Sequence, residues 1–248
     1  MNLPRRFIFI LPYTFIALTA LFAAAADNFP KAEVRRAEPA PPTGDDVLRL
    51  VRMSQALQDL KQLKGNLRDD ETGKKIPFDL TMTGGIIRFD FRGPDEIINL
   101  DLNDNQKPTL RRIAAGNDLV MPQSLGSQPV RDTFINYEDL SMRFLYWPNA
   151  KILDTEHVRT RKCWKVRVVT PDKRGPYGTV DIWVDQDSGA MMQMEAYDML
   201  GKKVKNFKVI SGQKYKGAWI LKEMRIEGYD PLKGSLKGRT YMDIKDPV

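Results

Sequence analysis

The chain has one cysteine and one histidine in 248 residues. A lone Cys163 excludes an internal disulfide framework and any cysteine-based zinc finger. A lone His157 excludes metal sites that need two imidazoles. There is no G-x-S-x-G, no P-loop and no G-x-G-x-x-G, so the serine nucleophile elbow and the glycine cradles for phosphate are missing too. Only one long apolar run occurs, at the start of the chain. Acid is in deficit, with 32 Asp and Glu against 39 Lys and Arg and a formal charge of +7. What remains, 42% apolar and 29% charged, is ordinary globular composition, and the length suits one β-rich domain.

The apolar run has a purpose of its own. Arg5 and Arg6 precede a mostly apolar Phe7–Leu21, interrupted by Pro12, and Ala24 and Ala26 take the small positions of an A-x-A site. This is the layout of a secretory signal peptide, residues 1–26, cleaved near Ala26. An uncleaved anchor would need a longer run, and the strong apolar core favours the general export route over the twin-arginine one. Removing Met1–Ala26 takes two arginines and no acid, which leaves +5. No second stretch reaches membrane length, so the expected product is soluble and exported. No Cys at the cleavage region could carry a lipid.

Residues 27–44, with Pro39, Pro41 and Pro42, read as a flexible Pro-rich segment, and residues 45–248 as one domain. Thr43 and Asp46 make a helix start. Leu50, Met53, Leu57 and Leu60 follow at helical spacing, which predicts a helix from Asp45 to about Lys64, ended by Gly65. The period then becomes two. Phe78, Leu80 and Met82 alternate with polar or small residues, then Ile87, Phe89 and Phe91, then Ile98, Leu100 and Leu102. Gly116–Arg131 reads as a loop, and Asn136–Tyr146 as a short helix stopped by Pro148. Alternation returns at Trp164–Val168, Val180–Val184 and Met192–Met194, and further strands run to Ile244 with turns at Asp187-Ser188-Gly189, Gly201-Lys202 and Lys216-Gly217. The fold class is mainly β (α+β), an antiparallel sheet of about ten or eleven strands. A sheet that large curls to hide its edges. With a helix on its concave side it leaves an apolar space, whose candidate lining is Phe78, Leu80, Met82, Ile87, Phe89, Phe91, Ile98, Leu100, Met192 and Met194. The candidate lid residues are Leu50, Met53, Leu57 and Leu60.

Chemical candidates are thin. His157 and Cys163 could face each other across a hairpin, but no third residue orients them, and a small thiol beside Trp164 at a strand edge is the simpler reading. Glu138-Asp139 is better placed on the wet side of a helix than in a catalytic cleft. The basic clusters Arg159–Lys162, Lys202–Lys205 and Lys233–Arg239 lack the interleaved aromatics of a nucleic-acid face. They read as solvated loops, with an anionic surface as the alternative contact. The chain is therefore expected to be no enzyme, and to have no cofactor, no metal and no nucleic-acid partner. Eleven methionines, three of them at Met191, Met192 and Met194, suit either a core or a wall that adapts to varied apolar guests.

Tyr137-Glu138-Asp139-Leu140, Phe144-Leu145-Tyr146-Trp147-Pro148, Cys163-Trp164-Lys165-Val166 and Val180-Asp181-Ile182-Trp183-Val184-Asp185 form an ordered series. It continues through Ser188-Gly189-Ala190, Tyr197-Asp198, Gly201-Lys202, Ile210-Ser211-Gly212-Gln213-Lys214 and Gly217-Ala218-Trp219. Together these resemble the LolA-like group of outer-membrane lipoprotein-sorting proteins, over roughly Asp45 to Tyr229. The resemblance implies a half-open antiparallel β-barrel with helices as a lid, and a cavity that holds lipoprotein acyl chains or lipid between an inner-membrane donor and an outer-membrane acceptor. The Pro-rich start and the long middle loop depart from the best-known carriers. Physics favours such a device, since each buried methylene is worth about 0.8 kcal/mol. The residues alone also allow a secreted β-rich interaction module with a fully packed core.

Overall fold

The computed structural model describes residues 40–56, 60–103 and 107–245. The signal segment, most of the Pro-rich segment and Leu57 lie outside them. The unit Pro41–Val248 opens with helix α1 (Gly44–Ala56) and six strands, β1 (Leu60–Asp69), β2 (Lys75–Thr83), β3 (Ile86–Phe91), β4 (Glu96–Asp101), β5 (Thr109–Ala114) and β6 (Asn117–Val120). A connection with the short helix α2 (Tyr137–Ser141) leads to β7 (Lys151–Val158), β8 (Arg161–Val169), β9 (Thr179–Asp185), β10 (Met191–Tyr197), β11 (Lys203–Tyr215), β12 (Ala218–Tyr229) and β13 (Leu236–Ile244).

These strands form one antiparallel sheet in the order β6-β5-β4-β3-β2-β1-β13-β12-β11-β10-β9-β8-β7. The first strand pairs with the last, and the two that flank the α2 connection lie at opposite edges. The connection therefore has to cross the sheet. A flat sheet of this size would be nearly 60 Å wide at ~4.8 Å per strand. Yet Leu110 of β5 and Val166 of β8 belong to one continuous core. The sheet is strongly curved, an open half-barrel with α1 and the α2 connection on its inner side.

Cross-strand rows build the inner face. Leu80 lies opposite Phe89, which lies opposite Ile98; Met82, Ile87 and Leu100 form the next row. Gly65 sits between Phe78 and Ile244, and a Cβ there would collide with the Phe78 ring. Phe78, Phe89 and Phe91 form one aromatic cluster with ring centroids 5.6 to 6.4 Å apart, Phe89 and Phe91 stacked and Phe78 inclined to both.

Several expectations are corrected. The first helix ends at Ala56, and Leu60 and Gly65 belong to β1. Leu60, Leu63 and Leu67 keep helical spacing, but a register shift between Leu60 and Leu63 brings all three onto the inner face of a strand. The expected helix Asn136–Tyr146 breaks at Met142, whose φ is 50°, into α2 and a 3-10 turn at Arg143–Tyr146. The sheet has thirteen strands where ten or eleven were expected. The capping box at α1 is as expected: Asp46 N–H donates to Thr43 Oγ1 at 3.2 Å, and Thr43 N–H to Asp46 Oδ2 at 3.1 Å.

Candidate functional site

The inner wall is where the chain concentrates its apolar surface. Phe78, Leu80, Met82, Ile87, Phe89, Phe91, Ile98, Leu100 and Met194 are all buried there, as expected for strands with one apolar face. Met192 is not among them. A register shift between Met191 and Gln193 turns Met192 to the outer face, where it packs on Val158, Cys163 and Trp183. Alternation through a bulge predicts the wrong side for one residue.

The segment 121–150 runs along this wall as a strap. Its ties to the sheet are mostly side-chain bonds. Arg131 pairs with Glu96 at 2.6 Å and donates to the Pro94 carbonyl, and Tyr137 OH donates to Glu96 at 2.7 Å. Arg112 of β5 reaches the same carboxylate at 2.5 Å. Burial alone would raise the Glu96 pKa, but hydrogen bonds from Arg112 and Tyr137, with the charges of Arg112 and Arg131, outweigh it and hold it low. Burial and the neighbouring carboxylate push Tyr137 up to about 12.

Further along, Phe134 lies flat on β12 and β13. A Cβ at Gly228 or Gly238 would overlap its ring, and Phe134 N–H donates to Thr240 Oγ1 at 3.0 Å. Lys205 of β11 donates to the Phe134 carbonyl and pairs with Asp139 at 3.1 Å. Tyr177 OH donates to Asp139 Oδ1 at 2.5 Å and accepts from Asn136 Nδ2 at 3.0 Å. Asn136 and Asp139 also form a capping box on α2. Glu138 is 2% exposed and pairs with Arg143 at 3.2 Å; burial outweighs that charge and raises its pKa to about 6. Glu138 and Asp139 thus overturn the expectation of a wet helix face, because α2 lies inside the curl of the sheet and all its sides are covered. Lys205 likewise leaves the solvated cluster assigned to it.

Helix α1 closes a second part of the wall. Val47, Leu48 and Val51 are buried, and Asp45 accepts from the Ala150 amide at 3.1 Å. Arg52 lies 5.0 Å from the Tyr146 ring centre. Of the candidate lid residues, Leu50 and Met53 are 44% and 52% exposed. Leu60 faces inward from β1, and Leu57 is outside the described residues.

The Cys163–His157 pair does not form. Cys163 opposes Glu156 and His157 opposes Lys162, so the thiol and the imidazole leave opposite faces of the β7–β8 ribbon. Cys163 is buried, which raises its pKa. Among the described residues no group of three His, Cys, Asp or Glu is placed to hold a metal ion. No described helix is long and apolar enough to cross a membrane.

A protein family described as "-like: Uncharacterized protein" matches residues 118–246, just over half of the chain, and the chain belongs to that family. No curated protein matches significantly. Solved structures share the fold at low identity. A DUF1329 family protein from Desulfovibrio piger is 16% identical, with a TM-score of 0.61 over 82% of this chain and 90% of that one. A LolA superfamily protein from Nitrosomonas europaea is 16% identical, with a TM-score of 0.60 over 83% and 93%. A domain named for outer membrane lipoprotein sorting, from Vibrio parahaemolyticus, is 14% identical, with a TM-score of 0.62 over 80% and 90%. The fold is LolA-like.

Proposed function

We propose that the protein is a periplasmic carrier that shields acyl chains of lipoproteins or lipids inside the half-barrel during transfer toward the outer membrane. One observation carries this reading. The inner surface of β1 to β4 is a continuous apolar wall, and the strap that covers part of it is tied on mainly by side chains. A strap held this way can part from the wall without breaking the sheet. The wall then offers an acyl chain the contacts it gives up, at about 0.8 kcal/mol per methylene. The apolar lining residues act as surface and α1 as lid, through Val47, Leu48 and Val51. No step requires covalent chemistry. Export, signal cleavage near Ala26, and an inner-membrane donor with an outer-membrane acceptor belong to the same reading.

A second reading, an interaction module with a filled interior, is favoured by the burial of the wall residues against the strap and one another. Native mass spectrometry of the protein purified from the periplasm without detergent separates the two. Co-purified lipid or lipidated protein, released on denaturation, is expected for the carrier. A clean apo mass, with no uptake of a fluorescent fatty acid, would sink it.

A further inference from the structure

The hairpin of β11 and β12 is the longest in the sheet and outruns its neighbours. The β10 register ends at Gln193↔Lys208 and the β13 register at Glu223↔Asp243, but β11 and β12 stay paired to Tyr215↔Ala218. Among the described residues the two strands therefore continue as a ribbon for roughly 15 Å past their last lateral pairs. Within the ribbon, Gln213 donates to the carbonyls of Ile244 and Lys245.

Its composition is unusual for a bare ribbon. Trp219 is 69% exposed. Lys214, its cross-strand partner, places its ammonium 5.6 Å from the indole centre, and Lys216 lies 5.2 Å from the Tyr215 ring centre. From Ser211 to Lys222 there is no acidic residue. The ribbon turn, Lys216-Gly217 with φ of 47° and 84°, is of the tight kind that matches strand twist, so the tip is stiff. The two faces differ. Ile220 and Tyr215 point inward and join the apolar core, while Trp219 and Lys214 point outward. The strap's anchors at Gly228 and Gly238 lie at the opposite end of β12 and β13, so the ribbon marks the other end of the half-barrel.

An indole with an apolar body and a polar N–H, with the Lys214 ammonium against it, suits the interface of a bilayer better than bulk water. Lys214 and Lys216, in a stretch with no acid of its own in sequence, suit its anionic headgroups. We infer that the ribbon is a membrane-contacting finger: Trp219 enters the headgroup region of an anionic phospholipid surface, Lys214 and Lys216 hold it there, and that end of the half-barrel faces the bilayer. This contact does not depend on acyl-chain carriage.

The test is flotation of the full mature protein with vesicles of phosphatidylethanolamine and phosphatidylglycerol, against vesicles of phosphatidylcholine. The wild type is expected to float with the anionic vesicles, to be released by salt, and to show a blue-shifted tryptophan emission that Trp219→Ala abolishes. Lys214→Glu with Lys216→Glu should lower partitioning by at least about tenfold, given the pull of an anionic surface on each lysine. Unchanged circular dichroism and thermal midpoint show that the variants fold. Equal behaviour toward the two vesicles, or folded variants that float like wild type, overturns the inference, and so does a ribbon that binds a protein but no vesicle. Vesicle binding by a protein that takes up no fatty acid keeps the finger and removes the carrier; a lipid-loaded protein that ignores vesicles does the reverse.

Discussion

Glu138 and Asp139 are adjacent carboxylates in opposite situations. The Asp139 carboxylate has Lys205, the Tyr177 hydroxyl and the Asn136 backbone amide around it. Glu138 has only Arg143 against nearly complete burial, and its pKa rises from 4.5 to about 6. A carboxylate with a raised folded pKa binds more protons in the native state than in the unfolded one, so stability falls as pH rises through that window. The shift corresponds to about 2 kcal/mol, present below pH ~4 and lost by pH ~7. Glu96, Asp185 and Glu227, with lowered pKa values, act in the opposite sense. The signal is therefore read as a difference: wild type minus Glu138→Gln, by urea titration across this range, should slope downward with pH, and a flat difference would refute the assignment. Lys205→Met leaves Asp139 buried without its cation and should cost about 3 kcal/mol, measured the same way at neutral pH. The pairing of both carboxylates was invisible in sequence, because a local motif cannot report that a helix lies inside a curled sheet.

At the scale of elements, most of the strands were legible. Alternation in β2, β3 and β4 and from β8 to β13 follows from one face meeting the core. What escaped notice has physical causes. β1 mimics a helical period through its bulge at Leu60–Leu63. β5 places Arg111 and Arg112 side by side, which masks its period. β6 is an exposed edge of four residues. The strap reads in sequence as a loop to Arg131 and then a short helix, with no sign of its path, but its docking left a trace: Gly228 and Gly238 interrupt otherwise regular strands, and glycine inside a strand often marks a close approach. Neither has a positive φ, so alanine fits the backbone there and only the Phe134 ring resists it. Gly238→Ala should then destabilise by about 1–3 kcal/mol, and Phe134→Ala in the same chain should recover part of that cost. Simple additivity of the two, in a double-mutant cycle by thermal or urea unfolding, would show that the ring does not hold the strap.

The unit Pro41–Val248, taken as a whole, is a meander closed by pairing its first strand with its last and opened between β6 and β7, so the strap bridges the opening across the inner face. That arrangement yields either a lined cavity or a filled core, and the two differ in one thermodynamic quantity. A guest that binds only the folded state stabilises it by RT ln(1 + [L]/Kd), about 2.7 kcal/mol at a hundredfold excess over Kd. For a domain of this size each kcal/mol moves the midpoint by roughly 2–4 °C. A carrier should therefore melt about 5–10 °C higher at that concentration of long-chain fatty acid, and the gain should grow with chain length, since each added methylene is buried. The variant Phe89→Asp would weaken folding as well as binding, so Met82→Ala, toward the end of the wall away from the strap anchors, is the cleaner partner. It should lose a small part of its own stability and a larger part of the ligand-induced shift. A midpoint that ignores both fatty acid and chain length would place the whole apolar wall in the service of folding alone.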